Sequence, residues 1–92
     1  MHENAIATKV LDAAFIVHSE LGSGLLESVY ESAMEWELTQ AGLFVQRQLP
    51  IHVRYKEAKL ELGFRADLVI ERTVIIEVKA VEAVPAVAYR VL

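Results

Sequence analysis

The chain has 92 residues, enough for one domain with a modest core, because chains of this size bury only roughly 60–70% of the surface they expose when unfolded. The 54% hydrophobic and 24% charged content argues against disorder. The absence of cysteine excludes disulfides and thiolate metal sites, and no apolar run is long enough to span a membrane. The net charge of −4 argues against a general nucleic-acid binder, and with no basic leader segment we expect a cytoplasmic protein.

Two helices are predicted in the first half of the chain. Apolar residues recur at helical spacing from Asn4 to Leu21, and Asn4 is the expected N-cap. The segment Gly22-Ser23-Gly24 should end this helix, because glycine favours a turn. A second helix is expected from about Leu25 to Ala41, followed by Gly42 at its C-terminus. Its core-facing stripe should hold Leu26, Tyr30, Ala33, Met34, Leu38 and Ala41.

After Gly42 the apolar spacing changes to two, which is typical of strands. One strand is predicted from Leu43 to Tyr55, and Pro50 within it indicates an edge strand or a bulge, because proline cannot donate a ladder hydrogen bond. After a turn at 56–59, a second strand should run from Leu60 to Ile70 with Gly63 as a candidate bulge.

The third strand is predicted from Val74 to Ala80, and the tail at 81–92, with Pro85, fits either one helical turn or a fourth strand. The expected fold class is therefore α+β, with N-terminal helices packed on a three-stranded antiparallel meander.

Chemistry is concentrated on the last predicted hairpin. Glu77 and Lys79 are two residues apart and therefore project from one face, in the middle of an apolar run. A two-residue turn at 72–73 would turn Asp67 away from Glu77. A three-residue loop at 71–73 would set Asp67 opposite Glu77, with Cβ atoms about 5 Å apart, and we expect this loop or an equivalent bulge.

Two carboxylates at that separation suit a hard divalent cation such as Mg²⁺, which takes oxygen ligands and keeps positions for water and phosphate. Lys79 can then hold the nucleophilic water or offset charge on the phosphorane, so the three residues make a sensible site for phosphodiester hydrolysis. The alternative is an ordinary cross-strand ion pair, in which Asp67 or Glu77 pairs with Lys79 or Arg65.

Two separated segments resemble a known family. Residues 17–31 are similar to the signature of the bacterial GxxExxY family of the PD-(D/E)XK nuclease-like superfamily, with Gly24, Glu27 and Tyr30 at the named positions. The resemblance continues through residues 63–69 and 75–82, which contain the aspartate and the Glu-x-Lys of the hairpin.

This resemblance implies an αβββαβ core and a Mg²⁺-dependent or Mn²⁺-dependent nuclease acting on DNA. It also implies a metal and catalytic site of Glu27, Asp67, Glu77 and Lys79. Glu27 can equally be a solvent-facing first-turn glutamate favoured by the helix dipole. Two further matches, Tyr30 and His18, are placed near the pocket wall, although they can instead be a core aromatic residue and a residue that interacts with the helix C-terminus.

Phosphate contacts are expected from the second half of the chain. Residues 1–42 hold one lysine and seven acidic residues, a charge of −6, whereas residues 43–92 hold eight basic and six acidic residues, a charge of +2. Arg47, Arg54 and Arg65 are the candidate phosphate contacts, and His52 should lie exposed on the same strand face as Arg54.

Members of the family continue into a further helix and strand, so we expect residues 1–92 to form a single domain that lacks these last elements. The apolar face bearing Val74, Ile76 and Val78 should then lack a cover. A homo-oligomer, formed by dimerisation or tail exchange, would supply one. The alternative function is accordingly a non-catalytic homo-oligomeric interaction module on the same scaffold.

Overall fold

A computed structural model of the chain describes residues 1–80 and 85–91, with the backbone alone at 53, 61, 62, 80 and 85–91. Its elements are α1 (Glu3–Leu21), α2 (Glu27–Gln40), β1 (Val45–Tyr55), β2 (Ala58–Ile70), β3 (Val74–Ala80) and β4 (Pro85–Val91). The strands form one antiparallel sheet in the order β1-β2-β3-β4. The predicted α+β meander is confirmed, and the tail contributes a fourth strand. Within the described residues, neither helix has the length and apolar character needed to cross a membrane.

The helix ends differ from the prediction in two places. His2 caps α1, because its Nδ1 accepts a hydrogen bond of 3.1 Å from the Asn4 N–H, so the expectation that Asn4 is the N-cap was wrong. The second helix begins at Glu27 instead of Leu25, and Leu26 is a 75% exposed N-cap instead of a core residue. Gly42 follows α2 with φ 86°, a left-handed conformation that favours glycine, as predicted.

The turn between the helices explains the late start of α2. Gly22 and Gly24 have φ values of 69° and 94°, which side chains rarely tolerate. The Tyr30 hydroxyl donates to the Gly22 carbonyl at 2.8 Å and accepts from the Leu25 N–H at 3.0 Å. Tyr30 therefore ties the turn to the buried side of α2 and holds Leu25 outside the helix.

Both helices pack on the same face of the sheet. The core between them and the strands contains Ile6, Val10, Tyr30, Met34, Leu38, Leu68, Ile70, Val74, Ile76 and Val78, among others. The expectation that Val74, Ile76 and Val78 lack a cover was wrong, because α1 and α2 lie directly over them and leave at most 3% of each exposed. This face is therefore not available as the interface of a homo-oligomer.

A smaller apolar cluster lies on the face away from the helices, where Ala66, Val69 and Ile75 pack with the half-buried Leu49 and Ile51. The alternation of the β1 side chains between the two faces of the sheet changes at Gln48. Arg47 and Gln48 both reach α2, which consecutive residues of a regular strand cannot do, and Gln48 has φ 50°. Gln48 is therefore the point at which the alternation of β1 shifts by one residue.

Beyond Gln48, the β1–β2 hairpin continues away from the helices as an arm, which we define as residues 50–65. Pro50 lies on the edge strand β1, as predicted. The register shifts between Ile51 and Val53, where β2 holds extra residues that include Gly63, so the predicted bulge is confirmed. A Cβ on Gly63 would overlap the carbonyl of Ile51, and this close approach of two backbones requires glycine.

Candidate functional site

The β2–β3 hairpin has the three-residue loop that the sequence predicts. Strand β2 ends at Ile70 and β3 begins at Val74, and these residues pair, as do Val69 with Ile75 and Leu68 with Ile76. Glu71 anchors the loop, because its carboxylate accepts from the Phe44 N–H at 2.8 Å while its own N–H donates to the Phe44 carbonyl. The next two residues in this register are Asp67 and Glu77.

At Asp67 a side-chain contact replaces the backbone ladder. The Asp67 Oδ2 accepts a 2.8 Å hydrogen bond from the backbone N–H of Val78, and the paired register of β2 with β3 stops at Leu68 and Ile76. Val78 is the residue between Glu77 and Lys79. The aspartate carboxylate is therefore fixed against the middle of the Glu-x-Lys segment by a charge-assisted hydrogen bond.

Glu77 and Lys79 project from β3 on the side away from the helices, because they alternate with Ile76 and Val78, which pack beneath α1 and α2. Glu77 is half-buried and Lys79 is exposed. Asp67 reaches the same segment through the gap between β2 and β3. The structure thus brings the predicted hairpin residues to one backbone segment, while the sharing of a cation between Asp67 and Glu77 stays a prediction.

A helix carboxylate also reaches this region, and it is Glu31. Among the side chains that the structure describes, Glu31 is the one charged group in the buried class, at 8% exposure. Its Oε1 accepts from the Gln48 Nε2 at 2.7 Å and lies 3.6 Å from the Arg47 Nε, and Arg47 also contacts Glu35 at 3.3 Å. Burial of a carboxylate is costly unless such partners are present.

Gln48 links Glu31 to the hairpin. Its Nε2 donates to Glu31 and lies 3.5 Å from the Asp67 Oδ1, at the outer limit of a hydrogen bond. Gln48 adopts a left-handed backbone conformation, which costs a residue with a side chain about 1 kcal/mol or more. The side-chain nitrogen of this strained residue therefore contacts two carboxylates, that of Glu31 on α2 and that of Asp67 on β2.

Sequence reasoning did not single out Glu31 or Gln48. Glu31 follows Glu27 by one helical turn and lies three residues before Met34, at the border of the buried stripe, so its spacing was the available signal. Gln48 gave no signal, because its role depends on a backbone conformation that strand periodicity does not predict.

The other predicted site residues lie elsewhere. Glu27 is an exposed residue in the first turn of α2, and Arg65 is exposed on the arm opposite Pro50. Tyr30 is 1% exposed and its hydroxyl is engaged at the interhelical turn. The Nδ1 of the half-buried His18 is a buried atom with no hydrogen-bond partner in the described part of the chain. The roles of these four residues in a site stay predictions.

The donor set suits a divalent cation of the magnesium type. No three histidine, cysteine, aspartate or glutamate side chains within the described residues form a cluster that could hold a metal ion. Mg²⁺, however, is usually bound through one or two carboxylates, with water and substrate phosphate in the remaining positions. Asp67 and Glu77 meet that requirement in number and chemistry.

Comparison with known proteins is consistent with this geometry. A family model described as the PD-(D/E)XK nuclease superfamily matches residues 4–90, which include α2, all of α1 except its first residue, and the whole β2–β3 hairpin. No curated protein and no solved structure matched the chain. The match does not identify the GxxExxY family within the superfamily, and that assignment stays a prediction. The chain belongs to the PD-(D/E)XK nuclease superfamily.

Proposed function

We propose that this domain hydrolyses phosphodiester bonds in nucleic acid, with DNA as the expected substrate and Mg²⁺ or Mn²⁺ as the metal. The observation that carries the proposal is the hydrogen bond from the Val78 N–H to the Asp67 carboxylate, because it fixes the aspartate at the backbone of the residue that separates Glu77 from Lys79. Superfamily membership adds the expectation of this chemistry but does not by itself establish activity.

In the proposed site, Asp67 and Glu77 hold the cation. When bound, a divalent cation supplies Lewis acidity to a water molecule and to the scissile phosphate. Lys79, exposed at the end of the same segment, orients the attacking water and offsets the negative charge that develops on the phosphorane.

Glu31 is the helix carboxylate that the contacts favour for this site. Gln48 connects it to Asp67, and Arg47 and Gln48 keep its carboxylate ordered in a buried position. Glu27, the helix glutamate that the resemblance implies, lies one turn earlier and is exposed. Parallel Glu31→Gln and Glu27→Gln variants separate the two assignments, and we expect the Glu31 variant to lose more cleavage activity.

A cleavage assay tests the proposal. Supercoiled plasmid and labelled oligonucleotides are incubated with the protein in Mg²⁺ or Mn²⁺, and we expect nicking or shortening that requires the cation. Asp67→Asn, Glu77→Gln and Lys79→Gln should each lower the rate by about a hundredfold or more. Glu20→Gln, the loss of one carboxylate charge at an exposed position of α1, is the control. No cleavage by the wild type, or equal rates in all variants, would refute the proposal.

The alternative is a non-catalytic homo-oligomeric module on the same scaffold. Large apolar residues on the helices favour it, since Phe15 is 73% and Trp36 is 60% exposed. Light scattering after size-exclusion chromatography measures the mass, and a dimer or larger assembly that binds no divalent cation would favour this module. A monomer at micromolar concentration would exclude it.

A further inference from the structure

We infer that the arm, residues 50–65, is a nucleic-acid-binding element whose basic face holds the phosphate backbone beside the Asp67 site. The inference rests on the proposed function and names the surface through which its substrate binds.

The basic residues of the arm share one face of the hairpin. Leu49 and Ile51 pack in the cluster away from the helices, so the intervening and following even-numbered residues of β1, including His52 and Arg54, face the other way. Arg54 is paired with Lys59, and Pro50 is paired with Arg65. These basic residues of the arm therefore lie on one face, the face that α2 covers further along the sheet. We call them the basic strip, and its members are Arg54, Lys59 and Arg65.

Two members of the basic strip are a like-charge pair. Arg54 and Lys59 are directly opposite each other in the ladder, an arrangement that destabilises a hairpin. All three members are exposed, and no salt bridge involves them among the side chains that the structure describes. The pairing of Arg54 with Lys59 costs stability and leaves both side chains in solvent. An anion that binds between the two side chains explains this arrangement.

The strip leads to Asp67, the candidate site residue that contacts the α2 side through Gln48, whereas Glu77 and Lys79 project from the other face of β3. Arg65 and Asp67 are two residues apart on β2, and Gln48, which contacts Asp67, lies on the same face of β1 as Arg54. The six residue steps from Gln48 to Arg54 span roughly 20 Å at the usual rise of a strand. One strand of a duplex carries a phosphate every 3.4 Å of axial rise, so the strip matches about six nucleotide steps measured along the duplex axis.

The charge of the body directs a polyanion to the arm. Residues 1–42, which form both helices, carry a net charge of −6, from one basic and seven acidic residues. Residues 50–65 carry +2, from four basic and two acidic residues. Electrostatic attraction therefore favours approach along the arm and disfavours approach across the helices.

Fluorescence anisotropy in EDTA separates binding from cleavage. The probes are a fluorescein-labelled 20-nucleotide single strand and its duplex, titrated at several salt concentrations. We expect the Arg54→Gln/Lys59→Gln variant to raise Kd about tenfold at low salt and to lower the slope of log Kd against log salt by about 1.8 on duplex or about 1.4 on single strand. The two slopes also show which form the arm holds.

The control variant Lys9→Gln/Arg72→Gln removes the same charge from α1 and from the β2–β3 loop, and it should bind like the wild type. Arg54→Lys keeps the charge and should retain affinity. The inference is overturned if the arm variant binds as tightly as the wild type, if both double variants weaken binding equally, or if the wild type binds neither probe.

Failure of the arm and failure of the catalytic proposal give different results. Asp67→Asn leaves the strip intact and should bind both probes at least as tightly as the wild type in EDTA. Loss of cleavage without loss of binding therefore reports on the catalytic residues alone. Normal cation binding by an Arg54→Gln/Lys59→Gln variant that no longer holds DNA reports on the arm alone.

Discussion

Strands β1 and β2 run without a break from an inner half, which the helices cover, into an outer half, which is the arm. These two halves of the hairpin have opposite physical properties. In the inner half, Leu68 and Ile70 lie fully buried beneath the helices. In the arm, none of the described side chains belongs to the buried class, and Ile51 at its base is half-buried against the cluster of Ala66, Val69 and Ile75. Stability therefore resides in the helix-covered half, and the arm is free to carry charges that a core would exclude.

The candidate site lies where these two halves meet. Gln48 shifts the alternation of β1, and Asp67 replaces the ladder of β2 with a side-chain hydrogen bond to Val78. Both irregularities interrupt the regular strand pairing and bring polar groups together where the arm joins the helix-covered half of the sheet. Such departures from regular geometry are tolerated where the surrounding packing fixes them, which the buried cluster under α1 and α2 provides.

The largest expected difference between the halves concerns apolar truncation. Ile76→Ala, in the helix-covered half, should lower the free energy of unfolding by about 2–5 kcal/mol, because it opens a cavity in the core. Leu60→Ala, at a 37% exposed position of the arm, should cost less than about 1 kcal/mol. Urea unfolding measures both, and equal losses would show that the arm is packed as firmly as the body.

The interhelical turn should show a smaller effect. Tyr30→Phe removes the hydroxyl that joins Gly22 to Leu25 and should cost about 1–2 kcal/mol, because both backbone groups lose a partner. Tyr55→Phe, at a 60% exposed site on the arm, is the matched control and should leave stability unchanged. Thermal unfolding compares the two, and an unaffected Tyr30 variant would remove the hydroxyl from the explanation of the turn.

Gly63→Ala should disturb the arm with little effect on global stability. Its Cβ would overlap the Ile51 carbonyl, so the bulge must open, but few buried contacts depend on it. Amide hydrogen exchange should rise across 51–65 while the free energy of unfolding changes by less than about 1 kcal/mol. Cooperative loss of the whole fold would instead make the bulge part of the stable half.

The smallest expected effect has the opposite sign. Arg54→Gln removes the like-charge pair with Lys59 and should raise the free energy of unfolding by about 0.2–1 kcal/mol. Thermal unfolding at low salt measures it, and Arg54→Lys, which keeps the pair, should show no gain. A loss of stability in Arg54→Gln would mean that the arginine is a structural residue of the hairpin.

Sequence periodicity predicted the elements that depend on local patterns. Strand β3, the glycine after α2, the bulge at Gly63 and the three-residue loop of the β2–β3 hairpin were all anticipated. The packing of both helices over one face of β3 was not anticipated. The face with Val74, Ile76 and Val78 is the more apolar one, but what covers it is a tertiary property that strand periodicity does not predict.

Only the part of the candidate site that depends on local strand spacing could be predicted from the sequence. The Asp67 and Glu77-x-Lys79 spacing was available from sequence, because strand alternation and loop length fix it. The buried Glu31 and the bridging Gln48 depend on how α2 lies over β1 and on one left-handed residue. Neither feature has a periodic signature, and the family motif directed attention to Glu27 instead.

Titration calorimetry with Mn²⁺ and Mg²⁺ tests the central geometric claim most directly. Asp67→Asn preserves the acceptor for the Val78 N–H but removes the charge, so the fold should persist while cation binding is lost. We expect the wild type and the exposed control Glu57→Gln to bind with an affinity of about millimolar or tighter, and Asp67→Asn and Glu77→Gln not to bind. Undiminished binding by folded Asp67→Asn, or none by the folded wild type, would contradict a cation site at Asp67 and Glu77.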